Sequence, residues 1–175
     1  MARASWVLLD RDGTINEAAP EPDYITEPAQ VRLLQRAGQA IARLNRAGMP
    51  VVVVTNQRAV ALGLMSRSEL DVVNAKLREQ LALAGAHVDE ILCCVHHKHT
   101  CNCRKPRSGL LEEAARRLGL PLEQAVMVGD RETDVEAGHR AGTTTIRLAE
   151  NGARTAAGII VPTLWAAVDA ILASA

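Results

Sequence analysis

Short runs of apolar and β-branched residues alternate along the chain with longer segments of helical periodicity. The runs predict strands at residues 6–9, 51–55, 89–94, 125–129, 143–148 and 158–161. The periodic segments predict helices at residues 36–47, 66–84, 108–118, 132–140 and from about 163 onward. This alternation is typical of a doubly wound parallel sheet with right-handed crossovers. We therefore expect an α/β fold that forms one domain over residues 1–175.

The charge balance of the chain gives little reason to expect a charged macromolecular partner. The 20 Lys and Arg residues equal the 20 Asp and Glu residues in number, so the formal net charge is zero. This balance does not favour nucleic-acid binding. No apolar run approaches the length of a membrane span, and the N-terminal residues do not resemble a signal peptide. We expect a cytoplasmic monomer that acts on a small molecule and binds neither nucleic acid nor membrane.

Polar residues follow several of the predicted strands at the point where each strand ends. Asp10 and Asp12 come after the first strand, Thr55 and Asn56 after the second, and Asp130 after the fourth. Because ligands bind beyond the carboxyl ends of parallel strands, we expect these residues to line one crevice. A bound Mg²⁺ would relieve the repulsion between the carboxylates, and Thr and Asn suit phosphate oxygens. The alternative is that these residues simply form turns.

Further charged residues lie close to these segments. Asp134 follows Asp130 by four residues, and it is either an outer-shell magnesium ligand or a charge that favours a helix N-terminus. Arg104 and Lys105 precede Pro106. Such a pair is usually solvated surface, but here it directly follows a cysteine cluster that would hold it in place.

All four cysteines lie between residues 93 and 103, where two ligand pairs are separated by four residues. The pairs provide three thiolates and one imidazole, from Cys94, His96, Cys101 and Cys103. These ligand types suit a tetrahedral, structural Zn²⁺ site in a loop at about 93–105, which would direct the basic pair towards the crevice. The alternatives are two disulfides, which a strained C-x-C ring disfavours, or reduced cysteines without a ligand. Cys93 is predicted to be a buried strand residue, and His97 and His99 to be loop residues.

The segments DRDGT, TNQ, RKP and GDRETD occur in the order and with the spacing of four motifs of the haloacid dehalogenase (HAD) superfamily of phosphatases. The resemblance extends from about residue 5 to 148. It implies that Asp10 attacks phosphorus and forms an aspartyl-phosphate. It also implies that Asp12 protonates the leaving alcohol and then activates the water that hydrolyses the intermediate.

The same resemblance implies a metal site and a phosphate site. Mg²⁺ would be held by Asp10, the backbone carbonyl of Asp12 and Asp130. Thr55 and Lys105 would hold the phosphoryl oxygens, where stabilisation of charge supplies most of the catalysis.

Two further features narrow the resemblance. The C-x-H and C-x-C pairs stand directly before RKP, and the first two motifs leave no room for a lid domain between them. Both features are similar to the capless, zinc-containing branch of the superfamily, which holds heptose bisphosphate phosphatases and histidinol-phosphate phosphatases. The segment DYITEPAQVRLLQRAGQAI resembles the heptose enzymes, whereas GDRETD is closer to the histidinol enzymes.

This branch implies a Mg²⁺-dependent phosphatase that acts on a small phosphorylated sugar. The first choice of substrate is D-glycero-D-manno-heptose 1,7-bisphosphate, from which it would remove the C7 phosphate. The alternatives are a histidinol-phosphate or broader sugar-phosphate phosphatase, and a catalytically inactive zinc-containing binding module. The heptose enzymes usually carry glycine and arginine where this chain has Ala59 and Leu62, a difference that bears on the preference for a bisphosphate. Arg58, Arg104 and Arg131 are the candidates for substrate contacts, since arginine suits a second phosphate.

Overall fold

A computed structural model of the chain describes residues 4–20, 23–150 and 152–174. The strands are β1 (Trp6–Leu9), β2 (Val51–Asn56), β3 (Glu90–Cys94), β4 (Ala125–Gly129), β5 (Thr144–Leu148) and β6 (Ile159–Val161). The helices are α1 (Ala37–Arg46), α2 (Arg67–Leu83), α3 (Gly109–Leu118), α4 (Glu132–Ala141) and α5 (Leu164–Ala173). Short 3-10 turns lie at Pro28–Gln30 and Leu122–Gln124. Each predicted strand and helix is present, and its bounds differ from the prediction by no more than one residue.

The strands form one parallel sheet in the order β3-β2-β1-β4-β5-β6, which confirms the predicted doubly wound α/β fold. Alternate side chains of the central strands point to opposite faces, where two separate hydrophobic clusters bury them. Helices α1, α2 and α5 cover one face, and α3 and α4 cover the other. Full burial of each large apolar side chain contributes about 1.5–3 kcal/mol. These clusters therefore fix the positions of the strand ends.

Helix α2 begins where the sequence pattern places its start. The Ser66 side-chain oxygen accepts a hydrogen bond from the Glu69 N–H, and the Glu69 carboxylate accepts one from the Ser66 N–H, which together form a capping box. The buried face of the helix is apolar at Leu70, Leu77 and other positions, but it also carries the polar residue Asn74. This asparagine lies on the face that packs towards the sheet.

The strand order reverses at β1, which lies between β2 and β4. At such a switch point the loops beyond the strand ends separate and leave a crevice. Asp10, Asn56 and Asp130 stand at the carboxyl ends of these three strands. The described residues between β1 and α1 form a loop with one 3-10 turn and contain no lid domain. Within the described ranges, none of the helices has the length and apolar character that crossing a bilayer requires.

Candidate active site

A buried lysine joins two of the predicted carboxylates. Lys105 is only 3% exposed, and its Nζ lies 2.8 Å from Asp10 Oδ1 and 2.6 Å from Asp134 Oδ1. Burial raises the pKa of Asp10 to about 7, although Lys105 acts in the opposite direction. Burial works to lower the pKa of Lys105, but the two carboxylates raise it above its usual range. Lys105 is therefore a fixed positive charge beside the predicted nucleophile.

Asp134 has a clear role at the start of α4. Its Oδ2 accepts a hydrogen bond from the N–H of Arg131 at 3.0 Å, while its Oδ1 pairs with Lys105. A side chain at Gly129 would overlap the Asp134 carboxylate, so glycine is needed where β4 ends. Asp134 thus occupies a helix N-terminus, as one of the two predicted roles requires, and also holds the lysine in place.

Three carboxylates converge in a geometry that fits a divalent cation. Asp10, Asp130 and Asp134 each offer an oxygen, and these oxygens all lie within 4.8 Å of one another. Asp130 Oδ1 is buried and has no hydrogen-bond partner in the described part of the chain. Gly13 has a φ of +84°, and a side chain there would overlap the Asp130 carboxylate. Hard oxygen ligands of this kind suit Mg²⁺.

The carboxylate of Asp12 is held by four hydrogen bonds. Its Oδ1 accepts from Arg11 Nε at 3.0 Å and Asn16 Nδ2 at 2.9 Å, and its Oδ2 accepts from Arg11 Nη2 at 3.0 Å and Gln57 Nε2 at 2.9 Å. Burial works to raise the pKa of Asp12, but Arg11 and the two amide donors hold it below its usual value. The carboxylate is therefore ionised and fixed in orientation. Sequence reasoning missed these three donors, although Arg11 and Gln57 lie within the recognised motifs and Asn16 lies close to one.

The two polar residues at the end of β2 have different surroundings. Thr55 is buried, and its hydroxyl accepts a hydrogen bond from Gln57 Nε2 at 2.9 Å. Asn56 was predicted to contact phosphate, but both ends of its amide bind the main chain of Lys105, at 3.1 Å and 3.0 Å. Asn56 therefore holds the lysine segment in place, and its contact with phosphate stays a prediction.

Most of the predicted residues surround one cavity of about 800 Å³, whose described lining does not include Asp130. Its lining includes nearly all of them: Asp10, Asp12, Thr55, Asn56, Arg58, Arg104, Lys105, Arg131 and Asp134. Tyr24 and Asp23 contribute from the loop between β1 and α1. Arg58 Nε and Arg104 Nη1 are buried without a hydrogen-bond partner among the described residues. Two guanidinium groups with unused donors thus lie at the same cavity as the carboxylates.

The cysteine cluster has the dimensions of a tetrahedral metal site. Neighbouring ligand atoms of Cys94, His96, Cys101 and Cys103 lie 3.2–3.7 Å apart. Zn–S bonds of about 2.3 Å at tetrahedral angles require sulfur separations of roughly 3.8 Å. All four cysteines are free, and the nearest sulfurs are 3.3 Å apart, so the two-disulfide alternative is wrong. The cluster could therefore hold Zn²⁺.

The other residues near this loop lie outside the cluster. Cys93 is in β3 but is half-buried rather than fully buried as predicted, and its Sγ accepts a hydrogen bond from Asn74. His97 and His99 are exposed loop residues, as predicted, and His99 contributes to the lining of the large cavity.

A parallel sheet whose strand ends bring an Asp-x-Asp pair, a buried lysine and further carboxylates together defines an HAD-like hydrolase. Residues 102–163 match a family model described as "HAD-hyrolase-like". The chain is also 42% identical, over 144 residues, to a D-glycero-β-D-manno-heptose-1,7-bisphosphate 7-phosphatase of Mesorhizobium japonicum. That match covers 78% of this chain and 65% of the relative, just under two thirds of its length.

Two further comparisons extend over more of the related proteins. A D-glycero-α-D-manno-heptose-1,7-bisphosphate 7-phosphatase of Mycobacterium bovis is 40% identical over 138 residues, which are 77% of this chain and 72% of the relative. The crystal structure of D,D-heptose 1,7-bisphosphate phosphatase from Bordetella bronchiseptica, complexed with magnesium and phosphate, has a TM-score of 0.88 at 31% identity and covers 98% of this chain and 99% of that one. The chain therefore belongs to the family of HAD-like hydrolases that contains these heptose bisphosphate phosphatases.

Proposed function

We propose that this protein is a Mg²⁺-dependent phosphomonoesterase that hydrolyses the C7 phosphate of a D-glycero-D-manno-heptose 1,7-bisphosphate. The observation that carries the proposal is the convergence of Asp10, Asp12 and Lys105 on one cavity, beside the carboxylates of Asp130 and Asp134. The names of the relatives in both anomeric series support the choice of substrate. An inactive zinc-containing module would not need this set of residues together.

The chain's own residues divide the reaction into two steps. In the first step Asp12 takes up a proton as the anionic substrate binds. A carboxylate oxygen of Asp10 then attacks phosphorus, the bond to the sugar oxygen breaks, and Asp12 gives that proton to the departing alkoxide. In the second step a water molecule loses a proton to Asp12 as it attacks the aspartyl-phosphate, which releases phosphate and restores Asp10. Lys105 and Thr55 bind the phosphoryl oxygens, and the fixed charge of Lys105 stabilises them throughout.

The metal would be held by the carboxylates of Asp10 and Asp130 and by the backbone carbonyl of Asp12, with Asp134 behind them. The unpartnered Asp130 Oδ1 supports this assignment. When bound, Mg²⁺ would neutralise phosphate charge and keep the carboxylates from repelling the substrate. Zn²⁺ in the cysteine cluster has a structural role in this proposal, because four protein ligands leave no open position for water.

The second phosphate of the substrate would bind the arginines at the cavity. Arg58 and Arg104 both have buried guanidinium nitrogens without partners among the described residues, which phosphate oxygens would satisfy. In this proposal Arg58 supplies the charge that is missing at Leu62. Arg131, at the start of α4, also lines the cavity and adds a third positive charge.

The test is a steady-state comparison of both heptose bisphosphate anomers, their monophosphates and histidinol phosphate, with and without Mg²⁺. We expect the highest kcat/KM for a heptose bisphosphate, and a loss of turnover of at least about 10³-fold in Asp10→Asn. The proposal would be contradicted if the protein hydrolysed none of these compounds and also failed to hydrolyse a generic aryl phosphate. If kcat/KM were higher for histidinol phosphate than for either heptose bisphosphate, the proposed substrate would be wrong but the proposed phosphatase chemistry would stand.

The role of Arg58 has its own test. Because a hydrogen bond to a charged group contributes about 1.5–3 kcal/mol, Arg58→Ala should raise KM for the bisphosphate about 10- to 100-fold. KM for the corresponding 7-monophosphate is the control and should change little. Equal changes for the two substrates would mean that Arg58 does not bind the second phosphate.

A further inference from the structure

A buried chain of hydrogen bonds joins Asp12 to helix α2, which lies outside the recognised motifs. Arg11 is 1% exposed, and two of its nitrogens donate to the two carboxylate oxygens of Asp12. Its remaining nitrogen, Nη1, donates to Asn74 Oδ1 at 3.0 Å. The Asn74 amide then donates to Cys93 Sγ in β3 at 3.4 Å. Because a guanidinium only donates hydrogen bonds, this contact also decides which way the amide faces.

Asn74 is an unusual residue for its position. It lies on the buried face of α2, between the fully buried side chains of Leu70 and Leu77. A polar side chain in such a place is unfavourable unless it is hydrogen-bonded, and its acceptor is used by Arg11. Neither Arg11 nor Asn74 belongs to the described lining of the large cavity, so their role is not to contact the substrate.

The geometry makes the orientation of Asp12 depend on Asn74. A planar guanidinium binds a carboxylate through two parallel hydrogen bonds only when the two planes are aligned. The third contact, from Nη1 to Asn74, fixes the plane of the guanidinium. Without that acceptor, Nη1 would be left buried and unpaired, and the guanidinium would turn to find water or another acceptor. The carboxylate of Asp12 would turn with it.

We propose that Asn74 is a positioning residue for the general acid and base, acting through Arg11 on Asp12. This inference rests on the proposed function, which assigns the proton transfers to Asp12. Asn74 supports the Asp12 carboxylate from α2, which lies far from Asp12 in the chain. The packing of α2 against the sheet therefore contributes to the alignment of Asp12.

If Asn74 positions Asp12, its loss should affect the first step differently for good and poor leaving groups. A sugar alkoxide needs a proton from Asp12 as its bond to phosphorus breaks, whereas 2,4-dinitrophenolate is stable enough to leave without one. A misaligned Asp12 should therefore slow the first step for the sugar phosphate only. The second step should be slow for both substrates, because it always requires Asp12 to accept a proton from water. With the dinitrophenyl ester, the phosphorylated enzyme should then accumulate.

The experiment compares Asn74→Leu, which removes the acceptor, with Asn74→Asp, which keeps an acceptor oxygen of similar reach. For Asn74→Leu we expect kcat for the heptose bisphosphate to fall about 10- to 100-fold. We expect the rate of the dinitrophenolate burst, measured by stopped flow with one product released per enzyme, to stay within about threefold of the wild type. Asn74→Asp should stay within about threefold of the wild type in both measurements.

Leu77→Ala, on the same buried face of α2, is the matched control for a general loss of stability. It should change the two measurements in parallel, whatever its effect on the melting temperature. If Asn74→Leu lowers kcat for the heptose bisphosphate and the rate of the dinitrophenolate burst equally, or leaves both unchanged, the positioning role is wrong while the phosphatase activity stands. If Asn74→Leu does not fold, Arg11→Lys replaces it, since lysine lacks the planar fork and should give the same selective loss. A wild-type protein that hydrolyses neither ester overturns the proposed function and this role with it.

Discussion

Replacing Lys105 with methionine tests how much the positive charge of the lysine stabilises the protein by offsetting the repulsion between the carboxylates of the site. The lysine Nζ is buried between Asp10 and Asp134, at 2.8 Å and 2.6 Å, and all three side chains are at most 10% exposed. Removal of one partner of a buried ion pair leaves an uncompensated charge and costs about 3–5 kcal/mol. That loss is large beside the total stability of about 5–15 kcal/mol for a typical domain. We therefore expect Lys105→Met to be folded but clearly less stable.

The same reasoning predicts that a second substitution will restore stability. In Lys105→Met the carboxylate of Asp134 lacks its partner, and the isosteric change Asp134→Asn removes that buried charge. We expect the double variant to be more stable than Lys105→Met, with a coupling energy of about 1–3 kcal/mol. We also expect added Mg²⁺ to stabilise Lys105→Met more than the wild type, because the bound cation would replace the positive charge that Lys105 supplied.

The assay is urea-induced unfolding at neutral pH, without magnesium and then with it, for the wild type, both single variants and the double variant. Zinc is kept constant, and no chelator is added, so that the cysteine cluster does not change. The reasoning would be refuted if the double variant lost as much stability as the sum of the two single changes. It would also be refuted if Mg²⁺ stabilised the wild type and Lys105→Met equally.

Other predictions follow from single residues. Gly13→Ala should lower activity about 10²-fold, because its methyl group would overlap the Asp130 carboxylate. Gly48 has a similar φ but open space around it, so Gly48→Ala should lower the free energy of unfolding by only about 1 kcal/mol. Steady-state kinetics and urea unfolding of both variants check this pair. Cys101→Ser should lose stoichiometric zinc by elemental analysis, whereas Cys93→Ser, outside the cluster, should keep it; equal zinc content would refute the site. Light scattering should report a monomer.

The strands, helices and strand-end carboxylates were predictable because they follow from local patterns. Burial on both faces gives β2 its continuous run of apolar residues, and the cap at Ser66 marks the start of α2. Residues at the ends of neighbouring parallel strands must meet, so Asp10 and Asp130 could be placed together without knowing any side-chain contact. The cluster of Cys94, His96, Cys101 and Cys103 was also predictable, since all four residues lie within one short segment.

The contacts that sequence reasoning missed are between side chains that lie far apart in the chain. Arg11 and Asn74 are separated by 63 residues, and nothing in the sequence near Arg11 indicates that its side chain is buried. A signal was present in α2, where Asn74 interrupts an otherwise apolar face. Asn56 was assigned to phosphate because its type and position suit that role. Its partner, the main chain of Lys105, is 49 residues away and becomes apparent only in the folded protein.

The central claim is that Asp10 carries the phosphoryl group between the two steps. It is tested most directly by mixing Asp12→Asn protein, Mg²⁺ and 2,4-dinitrophenyl phosphate, quenching with acid, and locating the added phosphoryl group by peptide mass spectrometry. Because this ester needs no proton for its leaving group and the variant lacks the base for hydrolysis, we predict a stoichiometric phosphoryl group on Asp10. A phosphoryl group on another residue, or product release equal to one turnover with Asp10 unmodified, would contradict the account.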